Sequence, residues 1–332
     1  MANFDVVVVG ASAGGVGFLQ KLVQGLPREF PAAVFVTLHV PDGAKSVLPN
    51  ILSRAGQLPA HHAHNGEAIR PGLIYIAPPG FHMTVETHGI RVTRRAREHG
   101  LRPAIDPLFR SAALAFGPRA IGIVLSGLLD DGTVGLIEIK RAGGVAIVQD
   151  PADTEWPSMP QSALDHVKVD YCLPADQIGS LLQGLVQEKR TVTMSADKND
   201  DTVEQELNVL TQHEDESEKP GVPSPYSCPE CGGVLWELRD GELLRFRCRV
   251  GHAYTSDTLT TEQGVTVEHS LWTALRALEE QAAVKRRLGE RARRQGNVAS
   301  ADHFERRSKD LEGHAQRVRD LLLSGVGASE TD

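Results

Sequence analysis

Three residue types that together carry out acyl transfer stand at the ends of apolar runs in the first 132 residues. Ser12 follows Val6-Val7-Val8-Val9-Gly10-Ala11 and opens into Ala13-Gly14-Gly15, His39 closes Phe35-Val36-Thr37-Leu38, and Asp130 and Asp131 lie just beyond Ile121 to Ser126. A serine hydroxyl attacks a carbonyl only when a base removes its proton. The base in turn needs an acceptor that fixes its tautomer and stabilises the imidazolium it becomes. Serine, histidine and aspartate therefore form a complete set for hydrolysing a carboxylic ester. Asp also caps helices well, so one of the two aspartates can cap the following helix while the other orients the histidine.

These residues must be brought to one place, and the surrounding pattern does so. Residues 1–188 alternate short β-branched runs with longer mixed segments, as expected of an α/β domain. Strands are predicted at Asp5 to Gly10, Ala33 to Leu38, Leu73 to Ala77, Ile121 to Ser126 and Val145 to Gln149. Several are continuously apolar, as in a parallel sheet covered on both faces. Helices are predicted from Gly14-Gly15 to Gly25 and over Asp106 to Phe116. If the strands are parallel neighbours, Ser12, His39 and the aspartates leave on the same carboxyl edge, where open α/β sheets place their ligands. The helix after Ser12 offers backbone N–H groups to an oxyanion. A phosphate-binding turn of a dinucleotide enzyme is the competing reading. It needs glycine where Ser12 stands and an acidic residue at the end of the second strand, where His39 stands instead.

A second constellation lies in the last third. Cys228-Pro229-Glu230-Cys231 and Cys248-Arg249-Val250-Gly251-His252 are separated by sixteen residues. Their types and spacing suit one tetrahedral structural zinc held by two turns, with Cys228, Cys231, Cys248 and His252 as ligands. No open coordination position is left for catalysis, so catalysis is expected to need no cofactor. Cys172 falls outside the set. The predicted organisation is an esterase-like domain over 1–188, an acidic and proline-containing linker over 189–226, a zinc-ribbon-like module over 227–258 and a helical hairpin over 265–324. A short helix is predicted near Val203 to Leu210. In the hairpin, Ala301, Phe304, Ser308, Leu311, Ala315, Val318 and Leu322 recur at spacings of three and four, as in a seam between helices. Metal removal is expected to loosen 228–256 and to leave the first domain folded, because the ligands lie beyond the linker.

Composition bounds the partners. The 332 residues are 41% hydrophobic and 23% charged, with net charge -8 and four cysteines, three of them crowded together. This excludes a secreted disulfide framework and argues against a broad nucleic-acid footprint. The N-terminus lacks a basic region ahead of its short apolar run, which predicts a cytoplasmic protein without membrane insertion. Arg286, Arg287, Arg291, Arg293 and Arg294 are interleaved with Glu279, Glu280 and Glu290, as on a solvated face. A protein partner or self-association is the expected role of these helices.

Residues 5–187 resemble the catalytic domain of the CheB-type protein-glutamate methylesterases. The resemblance rests on Gly10-Ala11-Ser12-Ala13-Gly14-Gly15, Leu38-His39-Val40, Tyr75-Ile76-Ala77-Pro78 with His82-Met83, and Arg102-Pro103 with Asp106 and Leu108-Phe109-Arg110-Ser111-Ala112-Ala113. It extends through Leu125-Ser126-Gly127 to Asp131-Gly132, and through Gln149-Asp150 to Met159-Pro160 and Ala163. It implies a doubly wound fold, Ser12 as nucleophile, His39 as base and Asp131, rather than Asp130, as the carboxylate. It also implies hydrolysis of glutamyl γ-methyl esters on a methylated chemoreceptor or similar protein, with glutamine deamidation as a related activity. Two departures stand out. Members usually have a receiver domain ahead of the esterase, whereas the first esterase strand here begins at Asp5, so phosphorylation in cis is expected to be absent. The loop that usually reads Thr-Gly-Met-Gly is Ser126-Gly127-Leu128-Leu129, and Leu129 in place of glycine is expected to shift backbone donors near the oxyanion. An adaptor built on an inactive hydrolase fold is the alternative that these departures favour.

Overall fold

The computed structural model describes residues 5–41, 43–187, 221–240 and 243–324. They divide into two compact units, Met1–Thr258 and Leu259–Asp332. The first is organised by β1 (Val6–Ala11), the central strand of a seven-stranded sheet. Its four consecutive valines are fully buried, because the pleat sends Val7 and Val9 to one face and Val6 and Val8 to the other. Helices cover both faces, so neither set of side chains meets water.

Along the chain come α1 (Gly15–Gln24), β2 (Ala33–Leu38), α2 (Leu48–Ala55), β3 (Ala60–His62), β4 (Ile74–Ile76) and the hairpin β5 (His82–Glu86) and β6 (Gly89–Thr93). There follow α3 (Ile105–Phe116), β7 (Ala120–Val124), α4 (Thr133–Arg141), β8 (Val145–Gln149), α5 (Ser158–His166), β9 (Tyr171–Leu173) and α6 (Ala175–Gln187). The sheet order is β3-β4-β2-β1-β7-β8-β9, and every neighbouring pair is parallel. From β1 the chain builds outward through β2 on one side and later through β7 on the other. The rim beside β1 is therefore the switch point of a doubly wound sheet, where a crevice opens at the carboxyl ends. Helices α1, α2 and α6 pack on one face through Leu19, Leu22, Leu52 and Leu182, while α3, α4 and α5 cover the other.

All five predicted strands form, to within one or two residues at their ends. The short edge strands β3 and β9 and the β5-β6 hairpin were not predicted, because three-residue edges carry no usable alternation. The last third contains an antiparallel sheet of β10 (Val222–Ser227), β11 (Val234–Asp240), β12 (Leu243–Cys248) and β13 (Ala253–Thr255). It departs from the predicted boundaries. β10 begins inside the segment assigned to the linker, with Pro223 and Pro225 on an edge strand where the missing N–H groups cost least. Most of that linker, and the helix predicted near Val203 to Leu210, lie outside the described residues. The expected independence of this sheet is also corrected, since it packs into the same compact unit as the parallel sheet.

Helix α7 (Ser256–Arg294) begins earlier than the predicted hairpin and turns at Gly296 into α8 (Val298–Leu323). In the second unit, Leu275, Ala282, Ala292, Ala301, Ser308 and Ala315 are buried, and Ser308 Oγ donates to the carbonyl of Ala282. The arginines pair across the hairpin with acids, as in Arg293 with Asp302 and Glu305, and Arg286 with Glu312. This spends the positive charge locally. No helix among the described residues is long and apolar enough to cross a membrane.

Helices α1 and α6 touch through two glycines: a Cβ at Gly179 would stand 2.7 Å from the Leu22 carbonyl oxygen and 2.8 Å from Gly25 Cα. Both obstacles are backbone. Overpacking of this kind costs about 1–3 kcal/mol, against up to about 1 kcal/mol gained when Ala replaces Gly within a helix. We expect Gly179→Ala to lower the denaturant midpoint of the first unit's unfolding transition, and an unchanged or higher midpoint would refute the close approach.

Candidate active site

The sheet register sets the site. Ala11 on β1 pairs with Leu38 on β2, so Ser12 and His39 are the next residues on adjacent strands and leave the rim about 5 Å apart in their backbones. Gly10 pairs with Val124 on β7 on the other side, and the Ser12 N–H donates to the Ser126 carbonyl at 2.9 Å. The Ser12 carbonyl accepts from Gly15 N at 3.0 Å, in a turn that needs Gly14 at φ 72°. Gly127 presses against the serine: a Cβ there would lie 2.7 Å from Ser12 Cβ and 2.1 Å from Met159 Sδ. Ser12 is half-buried and clamped by backbone on both sides.

His39 Nε2 hydrogen-bonds Asp131 Oδ2 at 2.7 Å, with 8% and 2% of the two side chains exposed. Asp131 also accepts from the backbone N–H groups of Ile105 (2.7 Å) and Asp106 (3.0 Å), the first two residues of α3. Burial opposes the charge on Asp131, but the bond from His39, the charges of His99 and His39 and the bond from Ile105 together hold its carboxyl far below the usual range. The helix N-terminus supplies part of that field through its unsatisfied N–H groups. Asp106 returns the arrangement: its Oδ1 accepts from Gly132 N (3.1 Å) and Gly135 N (2.7 Å) at the head of α4. Each helix start is thus capped by a carboxylate from the other segment.

The two adjacent aspartates diverge. Asp131 faces His39, whereas Asp130 turns away from it, and its buried Oδ1 has no hydrogen-bond partner. Burial pushes the Asp130 carboxyl up. Between them lies His99, which the sequence reading missed. Its Nε2 is 2.9 Å from Asp106 Oδ2 and 3.7 Å from Asp131 Oδ1, and its Nδ1 is 4.0 Å from Asp130 Oδ1. Burial disfavours a charged imidazole, but the bond to Asp106 and the charges of Asp131, Asp106 and Asp130 outweigh it and raise its pKa to about 9. No spacing signal marks His99, because Arg94-Arg95-Ala96-Arg97-Glu98-His99-Gly100 reads as a solvated loop. Next to it, buried Glu98 receives two bonds of 2.7 Å from Arg110. Burial raises the Glu98 pKa, but the charges of Arg110 and Arg247 prevail and bring it to about 2.

Leu129 adopts φ 61°, the left-handed region that glycine favours. The loop therefore keeps a glycine-like path with a leucine in it, at a cost of about 1–2 kcal/mol. Leu128 and Leu129 are exposed.

In the last third, Cys228, Cys231, Cys248 and His252 converge, with one ligand atom from each within 4.8 Å of the others. Cys231 Sγ lies 3.7 Å from Cys248 Sγ, and His252 Nδ1 lies 3.6 Å from Cys228 Sγ and 3.4 Å from Cys248 Sγ. His252 Nε2 faces Glu230 at 3.1 Å. Cys172, on edge strand β9, is exposed and outside this group.

The fold and the site together define a doubly wound α/β domain with a buried His-Asp pair at its switch point, next to the exit of Ser12. Residues 7–182 match the CheB methylesterase sequence profile, and the chain belongs to that family. A protein-glutamate methylesterase/protein-glutamine glutaminase from Geobacter metallireducens is 38% identical over 190 residues, which are 57% of this chain and 55% of that protein. A Leptospira interrogans relative is 33% identical over 188 residues, 56% of this chain and 96% of its own length. The crystal structure of the Thermotoga maritima CheB methylesterase catalytic domain matches with TM-score 0.54 at 31% identity, covering 55% of this chain and 100% of that domain. The match thus spans about half the length of the Geobacter relative.

A histidine held charged by the fold makes stability depend on pH. The pKa of His99 is raised above its ordinary 6.5 to about 9, so its contribution is fully present below about pH 6.5 and is lost as pH rises through about 9. The carboxylates facing it are those of Asp106, Asp130 and Asp131. We expect denaturant midpoints to fall across this window in the wild type and to flatten in His99→Gln. A wild-type profile no steeper than the variant's would show that His99 is neutral in the fold.

Proposed function

We propose that the chain hydrolyses glutamyl γ-methyl esters on a methylated chemoreceptor or a related signalling protein, and deamidates glutamine as a related activity. The observation that carries this reading is the 2.7 Å bond between His39 and Asp131 at the rim from which Ser12 emerges. With Nε2 engaged by the carboxylate, Nδ1 is the imidazole nitrogen left to take the Ser12 proton. The serine oxygen attacks the ester carbonyl. Backbone N–H groups at the head of α1 stabilise the oxyanion, and the imidazolium returns its proton to the departing methoxide. Methanol leaves, and water activated by the same imidazole releases the glutamate. The pinned Asp131 stays ionised throughout and stabilises the imidazolium. The names of the Geobacter and Thermotoga relatives support the same chemistry.

Ser12→Ala and His39→Ala are expected to lower kcat for methanol release by at least about a thousandfold, because the groups act as one unit. Ser12→Ala removes little buried surface, so its melting temperature should stay within a few degrees of wild type, whereas His39→Ala uncovers the buried Asp131 carboxylate and should melt lower while still folding. A fluorophosphonate should label wild type and not Ser12→Ala. Retained hydrolysis with normal melting in either variant would refute the assignment. An unlabelled wild type that releases no methanol would favour the adaptor reading.

We further propose that Cys228, Cys231, Cys248 and His252 hold one structural zinc. A tetrahedron with Zn–S bonds of about 2.3 Å has edges of about 3.8 Å, near the 3.7 Å sulfur separation here. Glu230 on Nε2 fixes the tautomer that presents Nδ1 to a metal. When bound, zinc would supply cross-linking and no catalysis. Elemental analysis should find one zinc per chain, reduced well below stoichiometry in Cys231→Ser. Equal metal content in the two proteins would remove this site.

A further inference from the structure

We infer that the cysteine-histidine ribbon is the rear wall of the esterase site and sets its activity by holding His99, and through His99 the Asp131 carboxylate, in place. The inference rests on the proposed esterase reading for its activity arm and on the coordinates for the rest. Strand β13 docks against residues 97–99: the His99 N–H donates to the Ala253 carbonyl at 2.7 Å, and the Ala253 N–H donates to the Arg97 carbonyl at 3.3 Å. His99 itself sits at φ 56°, a strained conformation for a residue with a side chain, which these contacts help to fix. Arg247 on β12 reaches Glu98 at 3.5 Å, beside the Arg110-Glu98 pair. Glu98, His99, Arg110, Asp130, Asp131, Arg247, Thr255 and Thr258 are all at most 5% exposed, so the two sheets share one desolvated polar interface.

A charged His99 donates from both ring nitrogens into this interface. Nε2–H donates to Asp106 (2.9 Å) and Nδ1–H donates to Thr258 Oγ1 (3.1 Å). The two hydroxyls of Thr258 and Thr255 are in turn hydrogen-bonded to each other at 2.9 Å. Both imidazole protons are used. The chain begins beside the carboxylate that binds His39 and ends on the two threonines Thr258 and Thr255. Because the interior is dry, opening it costs more than the same bonds would on a surface.

The ligand cluster controls where β13 lies. β12 ends at Cys248, the Cys248 N–H donates to the His252 carbonyl at 3.0 Å, and Ala253 follows His252 directly. Metal binding would therefore close the turn that delivers Ala253, Thr255 and Thr258 to the esterase. His99 and Thr258 are positioning residues in this scheme, acting through Asp131 without touching substrate.

The test uses the full chain, zinc-loaded and after chelation under reducing conditions, with p-nitrophenyl acetate hydrolysis, the rate of fluorophosphonate labelling and hydrogen exchange as readouts. Zinc removal should lower kcat at least tenfold with KM changed less than threefold, and zinc readdition should restore it. The Ile105 and Asp106 amides, which donate to Asp131, should exchange at least tenfold faster in the apo chain. Thr258→Val should lose kcat in the zinc-loaded state, while Thr258→Ser, which keeps the hydroxyl, should recover it. An apo chain with kcat within twofold of the loaded chain, or unchanged exchange at Ile105 and Asp106, would overturn the inference. If the loaded wild type neither hydrolyses nor labels, the esterase reading has failed, and the exchange arm alone decides this one. If the chain binds no zinc, the exchange of Thr258→Val against Thr258→Ser decides it.

Discussion

An ionised carboxylate buried at the end of a helix is the constraint around which this molecule is arranged. Asp131 is almost wholly removed from water. Its charge is tolerated because two amides at the start of α3, the His39 imidazole and the nearby His99 replace the lost hydration. A buried charge left without such partners costs several kcal/mol, so each partner becomes a fixed point for the element that carries it. The position of α3, the exit of β2 and the path of residues 97–99 all follow from that requirement. Desolvation also makes the interaction directional: in a dry site, a 2.7 Å bond holds one imidazole orientation far better than it would at the surface.

The reciprocal capping of α3 and α4 extends the same logic. Asp131 caps α3 and Asp106, from within α3, caps α4, so the two helix starts cannot separate without uncovering both carboxylates. Gly135 permits this closeness, since a Cβ there would meet Phe109 Cβ at 2.3 Å. The rim that carries Ser12 is therefore braced by the two helices on the second face. It does not depend on the loops alone, because the carboxylates that fix the two helices also fix the residues at the rim.

How much of this was legible in the sequence depended on the range of the interaction. The five predicted strands were legible because buried parallel strands are continuous apolar runs, and Ser12 and His39 were legible as polar residues placed where those runs end. The cysteine-histidine cluster was legible because its ligands are paired within four and five residues. The β3 and β9 edges were too short to show a period. The division between Asp130 and Asp131 could not be read locally, because it is decided by His39, more than ninety residues away, and by the start of α3. For the same reason His99 passed as loop, and the ribbon passed as a separate module. A linker in the sequence says that two segments are joined loosely along the chain, and says nothing of whether they pack together afterwards.

The departure at Leu129 belongs to this picture. A leucine at φ 61° persists only where its surroundings over-determine the backbone. Here Gly127 is fixed from both sides, its N–H donating to the Trp156 carbonyl and its carbonyl accepting from Met159 N, while Asp131 is fixed by α3. Two anchored ends only a few residues apart leave the intervening backbone little choice, so the loop keeps a path that glycine would take without strain. Substituting Leu129 thus changes the surface presented beside Ser12, where Leu128, Leu129 and Trp156 are exposed, more than it changes the direction of the main chain. Burial thus fixes the scaffold that positions the charges, and the side chains that border the crevice are the ones left exposed.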